Sequence, residues 1–262
     1  MVKTRLIPVL YVMNGLIVRS EGFNIHQNIG NIINQAQRYN EWDVDELIYI
    51  DITRSGNYNL RRDDHRVESY SGIQEIISRI GSVCFMPLTF GGGIKNVEDA
   101  EIRIRLGADK VTINNAAIEN PKLISQIAAR YGSQAVVVSI DYKIINGKPI
   151  VHAKFGRDST GIQVVDWVKQ CIDFGAGEIL LNSIDNDGRA CGYDLDTIRA
   201  IVAVSKVPVI ACGGAAEFYD FVEVVRETGV SAVAAGNIFH FTERSYPRAK
   251  QLMKKRGINV RF

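Results

Sequence analysis

The sequence is short of the features that mark several large classes of protein. Its four cysteines, Cys84, Cys171, Cys191 and Cys212, are scattered singly, so neither the paired spacing of a zinc site nor the density of a disulfide scaffold is present. Proline is scarce, 6 in 262 residues, and no linker rich in Pro, Gly and Ser divides the chain. Charge of one sign is lacking too, since 31 basic residues against 29 acidic leave a net charge of +2. Without a basic patch for nucleic acid or a membrane surface, any phosphate binding is confined to a local site. The longest apolar runs, such as Gln134-Ala135-Val136-Val137-Val138-Ser139-Ile140, are strand-sized, well below the ~20 residues that span a bilayer. Met1-Val2-Lys3-Thr4-Arg5 leads directly into a strand pattern, without the apolar core of a signal peptide. The expectation is a cytoplasmic α/β protein.

What is present is alternation. β-rich apolar runs at Leu6 to Tyr11, Glu46 to Ile52, Val83 to Phe90, Lys110 to Asn114, Ala135 to Asp141, Glu178 to Ser183, Val207 to Ala211 and Ala232 to Gly236 are separated by longer segments. Those segments, Asn96 to Leu106 and Phe218 to Glu227 among them, carry apolar residues at three- and four-residue steps. Strands joined by helices form a parallel sheet, and eight of them close a (β/α)₈ barrel. The reading is one such barrel over residues 1–262, with an open doubly wound sheet as the alternative.

The two halves of the chain resemble each other. Asp45 to Gly56 lies without gaps over Gly177 to Gly188, Gly91-Gly92-Gly93 matches Cys212-Gly213-Gly214, and Val111 to Asn115 matches Val233 to Asn237. The same event recurs at strands two and six, three and seven, four and eight, which is the signature of a duplicated half-barrel; a solenoid would need three or more shorter repeats.

Barrel ligands meet the carboxyl ends of the strands, and phosphates favour glycine-rich turns with free backbone N–H groups. The duplication supplies two such corners. One joins Gly92 and Gly93 with Asn114 and Asn115; the other joins Gly188, Gly213 and Gly214 with Gly236 and Asn237. Glycine admits an anion close to the backbone, and asparagine amides add donors. Two corners on opposite sides of one rim suit a long ligand with a phosphate at each end, although glycine also serves simply to make tight turns. Asp141 ends the fifth run, where a carboxylate could act as general acid or base or merely cap a turn. Asp51, Asp185 and Asp187 follow strands two and six, as orienters of ligand hydroxyls or partners of loop backbone. By the internal symmetry Tyr11 faces Asp141, and a phenol with a pKa near ~10 cannot replace a carboxylate base at neutral pH.

These residues carry a resemblance. Asp51-Ile52-Thr53, Gly91-Gly92-Gly93-Ile94, Gly107-Ala108-Asp109-Lys110, Tyr131-Gly132-Ser133-Gln134-Ala135, Asn182 to Gly188, Phe239-His240-Phe241 and Gly257 to Arg261 resemble the HisF family, the cyclase subunit of imidazole glycerol phosphate synthase, over essentially the whole chain. The resemblance implies a (β/α)₈ barrel that binds a bis-phosphorylated ribulosyl-aminoimidazole compound, with no metal and no organic cofactor. It implies a glutaminase subunit beneath the barrel and ammonia passing through it to the top face. The family's phosphate sites fall on the two corners, and its catalytic aspartates fall on Asp141 and on Tyr11, where this chain departs. Arg19 stands in place of a first-loop lysine, and Ile29-Gly30-Asn31 in place of Gly-Asp-Pro. Residues 54–69, with Arg61 and Arg62, form a longer second loop than is usual.

At the other end the pattern is kept. Arg5, Glu46, Lys110 and Glu178 begin strands one, two, four and six and match the family's charged ring at the ammonia entrance, with Asp109 at an acidic partner-interface position. Thr89, Thr112 and Ala232 continue a small-residue path upward. A ring of two cations and two anions is also a plain staple, and the roles are compatible. With the base intact and the top changed, the sequence is read as a divergent HisF-like subunit that conducts ammonia to another acceptor, in the manner of paralogues linked to surface-polysaccharide sugar amidination, with a sugar amidotransferase as third partner. The alternatives are a working cyclase of histidine biosynthesis and a scaffold that only activates the glutaminase.

Overall fold

The computed structural model describes residues 3–54 and 70–261. Eight parallel strands close on themselves: β1 (Arg5–Met13), β2 (Leu47–Asp51), β3 (Leu88–Gly91), β4 (Lys110–Ile113), β5 (Val136–Ile145), β6 (Glu178–Ser183), β7 (Val209–Cys212) and β8 (Ala232–Ala235). β1 pairs with both β2 and β8, with Arg5 opposite Ala232 and Val9 opposite Ile48, so the ring of strands has no open edge. Helices α1 (Ile32–Glu41), α2 (Ile73–Val83), α3 (Val97–Arg105), α4 (Lys122–Tyr131), α5 (Val164–Asp173), α6 (Leu195–Val204), α7 (Phe218–Thr228) and α8 (Ser245–Lys255) follow the strands in turn. The molecule is a (β/α)₈ barrel. None of these helices is long and apolar enough to cross a membrane, and all four cysteines are free thiols.

The period-2 alternation of each strand divides the core in two. Outward residues such as Leu6, Leu10, Leu47, Tyr49, Phe90 and Ile179 pack beneath the helices in one large cluster. Inward residues Ile7, Val9, Ile48, Val137, Leu180, Ile210, Ala232 and Ala234 form a smaller cluster inside the barrel. Most of these side chains are fully buried, each aliphatic one worth roughly 1.5–3 kcal/mol. The helix ends follow their sequence signals: the Asn96 side chain accepts from the Asp99 N–H at the start of α3, and α7 stops at Gly229 in the left-handed conformation.

Two features differ from the expectation. The third run was read as a strand from Val83, but Val83 is the last residue of α2 and β3 begins only at Leu88. Val83 to Met86 is a short apolar run without a period, which helix and strand accommodate equally. The fifth strand does not end at Asp141: it runs on to Ile145 and folds back as a three-stranded excursion with Lys148–Ala153 and Asp158–Gln163. A matching excursion, Leu16–Glu21 with Ile25–Asn31, follows β1. Both turn on Asn-Gly, with Asn14 at φ 53° and Gly15 at φ 81°, Asn146 at φ 49° and Gly147 at φ 74°, the turn whose twist suits a two-residue hairpin. The long second loop, residues 55–69 with Arg61 and Arg62, lies outside the described residues.

Candidate active site

The amino ends of the strands are sealed by charge. Alternation turns Arg5, Glu46, Lys110 and Glu178 into the lumen, and they form a closed ring in which each cation bonds both anions. Arg5 Nη1 reaches Glu46 Oε2 at 2.6 Å and its Nη2 bonds Glu178; Lys110 Nζ reaches Glu46 Oε1 at 2.8 Å and Glu178 Oε2 at 2.9 Å. The Thr89 hydroxyl donates to Glu46 from above at 3.2 Å. Burial pushes the Glu46 carboxyl up, but Lys110 and Arg5 outweigh it and hold the group below its ordinary value. The same anions raise Lys110 against the pull of burial. Asp109 is exposed at this end, and its carboxylate accepts the Leu88 N–H at 2.8 Å, tying β3 to the turn before β4.

The carboxyl ends are a different environment. Asp141 sits on β5 opposite Asn182 of β6. Its carboxylate accepts from Asn114 Nδ2 at 2.5 Å and from the Ser139 hydroxyl at 3.4 Å, and Asn182 bonds it from the other side. Burial is the largest influence and, with the charge of Asp187, raises the carboxyl to about 7 in spite of these three donors. The expected proximity of Tyr11 is present: Asn182 Nδ2 donates to its hydroxyl at 3.2 Å. Burial, with the nearby Cys212, Asp187 and Asp141, drives the phenol well above its ordinary value, so it stays neutral. One proton-transfer group with a mid-range affinity therefore stands beside one permanent hydroxyl.

The two glycine corners are built alike. Gly92, at φ +96°, leaves no room for a side chain, because a Cβ would meet the Asp51 carbonyl at 2.1 Å; Gly213, at φ +95°, would meet the Ser183 carbonyl at 2.6 Å. Each corner folds tightly over the end of the preceding strand, as the sequence repeat requires. Gly92 and Gly93 follow β3, and Asn114 and Asn115 follow β4. Gly188, Gly213 and Gly214, and Gly236 with Asn237 follow β6, β7 and β8, on the opposite side of the mouth. The near-buried guanidinium of Arg103 lies under the first corner, donating to the Gly92 carbonyl at 3.3 Å. It adds positive potential that sequence reading did not assign.

Several expected ligand contacts are engaged within the chain. Asn115 Oδ1 accepts the Lys154 N–H at 2.9 Å, and Asp185 accepts the Ile144 N–H at 2.8 Å; both brace the fifth-strand excursion. Asp51 accepts the Thr53 N–H at 2.9 Å. Asp187 clasps the first excursion, accepting from the Ser20 hydroxyl at 2.7 Å and the Phe23 N–H at 3.4 Å, while Asn237 Nδ2 donates to the Ser20 carbonyl at 2.9 Å. Phe23 is thereby held edge-on to Tyr11, ring centres 6.3 Å apart. Arg19 pairs loosely with Glu21 at 3.6 Å on the exposed hairpin. Asn182 and Ser139, which hold the Asp141 layer together, were not read as site residues, although counting by twos from Glu178 and Val137 puts both on the inner wall.

A barrel with a paired-charge base, a buried carboxyl at its mouth and two glycine corners built alike can be compared with known proteins. A family model described as histidine biosynthesis protein matches residues 5–245. The protein named imidazole glycerol phosphate synthase subunit HisF of Caulobacter vibrioides is 43% identical over 264 residues, covering 100% of this chain and 97% of that one. Those of Hyphomonas neptunium and Natranaerobius thermophilus are each 41% identical, covering 100% of this chain and 99% and 100% of theirs. On whole-length similarity and the matching family model together, this chain belongs to the HisF family of histidine-biosynthesis barrels.

Proposed function

We propose that the chain is the barrel subunit of a synthase of the imidazole glycerol phosphate type, fed with ammonia by a glutaminase. The glutaminase docks at the base beside the ring and Asp109, ammonia passes the ring into the lumen, and a ligand phosphorylated at both ends lies across the mouth between the two corners. The observation that carries this reading is Asp141, a buried carboxyl with a proton affinity near neutrality, at the end of the lumen opposite the charge ring. A group half-ionised near pH 7 both accepts and returns a proton within one cycle, which an addition of ammonia followed by ring closure requires. The names of the relatives support imidazole glycerol phosphate as the product.

A second reading is favoured by one residue. Tyr11, neutral at any working pH, stands where the family resemblance calls for a second aspartate, and with one base fewer the ammonia would pass on to a different acceptor, such as a sugar handled by an amidotransferase. The deciding experiment is turnover of the bis-phosphorylated ribulosyl-aminoimidazole compound with saturating ammonium, run beside Tyr11→Asp. Turnover by the unaltered chain, rising with pH through about 7 as Asp141 loses its proton, supports the synthase reading. No turnover, with activity appearing in Tyr11→Asp, supports the second.

A further inference from the structure

The repeat allows the two glycine corners to be compared residue by residue. Extending the match of Gly92-Gly93 with Gly213-Gly214 into the helices that follow sets Lys95 against Ala216, Asn96 against Glu217, Asp99 against Asp220 and Arg103 against Val224. The turns share a backbone, but the charges around them differ. Arg103 is 5% exposed, and Val224, its counterpart, is fully buried. Arg103 Nη2 donates to the Gly92 carbonyl at 3.3 Å and lies 3.4 Å from the Cβ that a side chain on Gly93 would have. Nη1 donates to the Asp99 backbone carbonyl at 3.0 Å. The Asp99 carboxylate stands 3.7 Å from Nη1 and also accepts the Lys95 N–H at 2.9 Å. Burying a guanidinium costs far more than burying a valine, yet the fold keeps one against this turn.

The second corner is bounded by acceptors. The Ser183 carbonyl and Asn182 Oδ1 lie 2.6 and 3.3 Å from the Cβ that Gly213 lacks, and the Gly192 carbonyl closes on Gly214. Asn182 Oδ1 has no hydrogen-bond partner among the described residues. Asn237 Nδ2, the amide donor of this corner, is spent on the Ser20 carbonyl. Burial, with the carboxylates of Asp187 and Asp141, pushes up the Cys212 thiol just before Gly213. Each corner also has a charge of the other sign. Asp51, the counterpart of Ser183, closes over Gly92, and Arg189 follows Gly188 on the exposed rim. With these counted, Lys95 and Arg103 balance Asp51 and Asp99 at the first corner, whereas Asp187, Glu217 and Asp220 outweigh Arg189 at the second.

We infer that the two corners are unequal anion sites, and that Arg103 makes the first the one that takes a doubly charged phosphate ahead of the second. Arg103 is a positioning residue. It holds the Gly92-Gly93 turn through the Gly92 carbonyl and sets a positive charge behind it, without reaching the ligand itself. A ligand with a phosphate at each end is then seated in one direction, its more highly charged end at the first corner. This rests on the phosphate-binding part of the function proposed above and adds which corner fills first, and by what residue. Like charge at the second corner disfavours a dianion there more than a monoanion.

The test needs no turnover. Crystals of the whole chain, buffered above neutrality, are soaked in a concentration series of sodium tungstate, a tetrahedral dianion visible by anomalous scattering. The corner at Gly92 and Gly93 should reach half occupancy at a concentration about tenfold lower than the corner at Gly213 and Gly214. Sodium perrhenate, the same shape with a single charge, should show a smaller preference. Arg103→Leu should bring the two tungstate concentrations together, and Arg103→Lys, which keeps the charge, should retain most of the difference. The order of filling in the unaltered chain is itself decisive, so a variant that fails to fold does not leave the matter open. Equal filling, the second corner filling first, an equal preference with perrhenate, or an order unchanged in Arg103→Leu overturns the inference and leaves the phosphate corners standing. Tungstate at neither corner removes the phosphate-binding reading, and the inference with it.

Discussion

The two ends of the barrel handle charge in opposite ways. At the base, two cations and two anions satisfy one another in a closed ring, so the structure there is complete without any ligand. At the mouth, one carboxyl is buried among neutral donors, with acceptors left bare beside it and a phenol above. Opposite charges in contact lower each other's cost of burial, whereas a lone carboxyl in a dry place resists ionisation. The base is thus organised for stability, and the mouth holds a buried carboxyl at the expense of stability. The difference teaches that one barrel can be self-sufficient at one end and leave polar groups unsatisfied at the other, the end at which the sequence resemblance places Tyr11 and Arg19 as departures.

Four experiments break or sharpen this contrast. The largest effect belongs to the mouth: Asp141→Asn should reduce kcat/KM by ~10²–10⁴, the usual value of a positioned general acid or base, with steady-state kinetics as the check. Next, Glu46→Ala removes one member of the ring, leaving Arg5 and Lys110 to share Glu178, and should cost roughly 3–5 kcal/mol in denaturant unfolding. If stability is unchanged, the ring does not staple the base. The third effect has the opposite sign. The Asp141 carboxyl is raised from 3.8 to about 7 in the fold, so its contribution to stability is full below about pH 4 and is lost as pH climbs through 7. Asp141→Asn has no such group, and its stability relative to the unaltered chain should improve by a few kcal/mol between those limits, as urea titrations across pH would read. The smallest effect is at the clasp: Ser20→Ala removes a donor to Asp187 and should cost about 1 kcal/mol, seen as faster hydrogen exchange at Gly22 and Phe23.

How much of this was legible in the sequence follows from which signals are local. Strand β6, Glu178–Ser183, stands as read, because its run is bounded and β-rich. The ring was legible because Arg5, Lys110 and Glu178 open strands, Glu46 stands just before β2, and the four match the charged ring that the resemblance implies. The start of β3 was not, since Val83 to Met86 carries no period and α2 claims its first residue. The two excursions were announced by Asn14-Gly15 and Asn146-Gly147 but went unread, because three or four flanking residues look like continuation of a barrel strand. Around Asp141 the internal symmetry placed Tyr11, but the amides of Asn114 and Asn182 that bond the two were out of reach. Asn114 lies 27 residues from Asp141 in sequence, and Tyr11 lies 171 from Asn182, so only closure of the barrel brings them into one layer.

The clasp on the first excursion has a consequence for how the chain comes into being. Ser20 leaves the ribosome early, yet its carbonyl waits for Asn237, 217 residues later, and its hydroxyl for Asp187, 167 residues later. The flap that holds Phe23 over Tyr11 is among the first segments synthesised and among the last to find its seat. A nascent or truncated chain that ends before β8 has Asp187 but lacks Asn237, so only one half of the clasp is available to it. In this barrel the clasp is complete only when Asn237, just after the last strand, has been made.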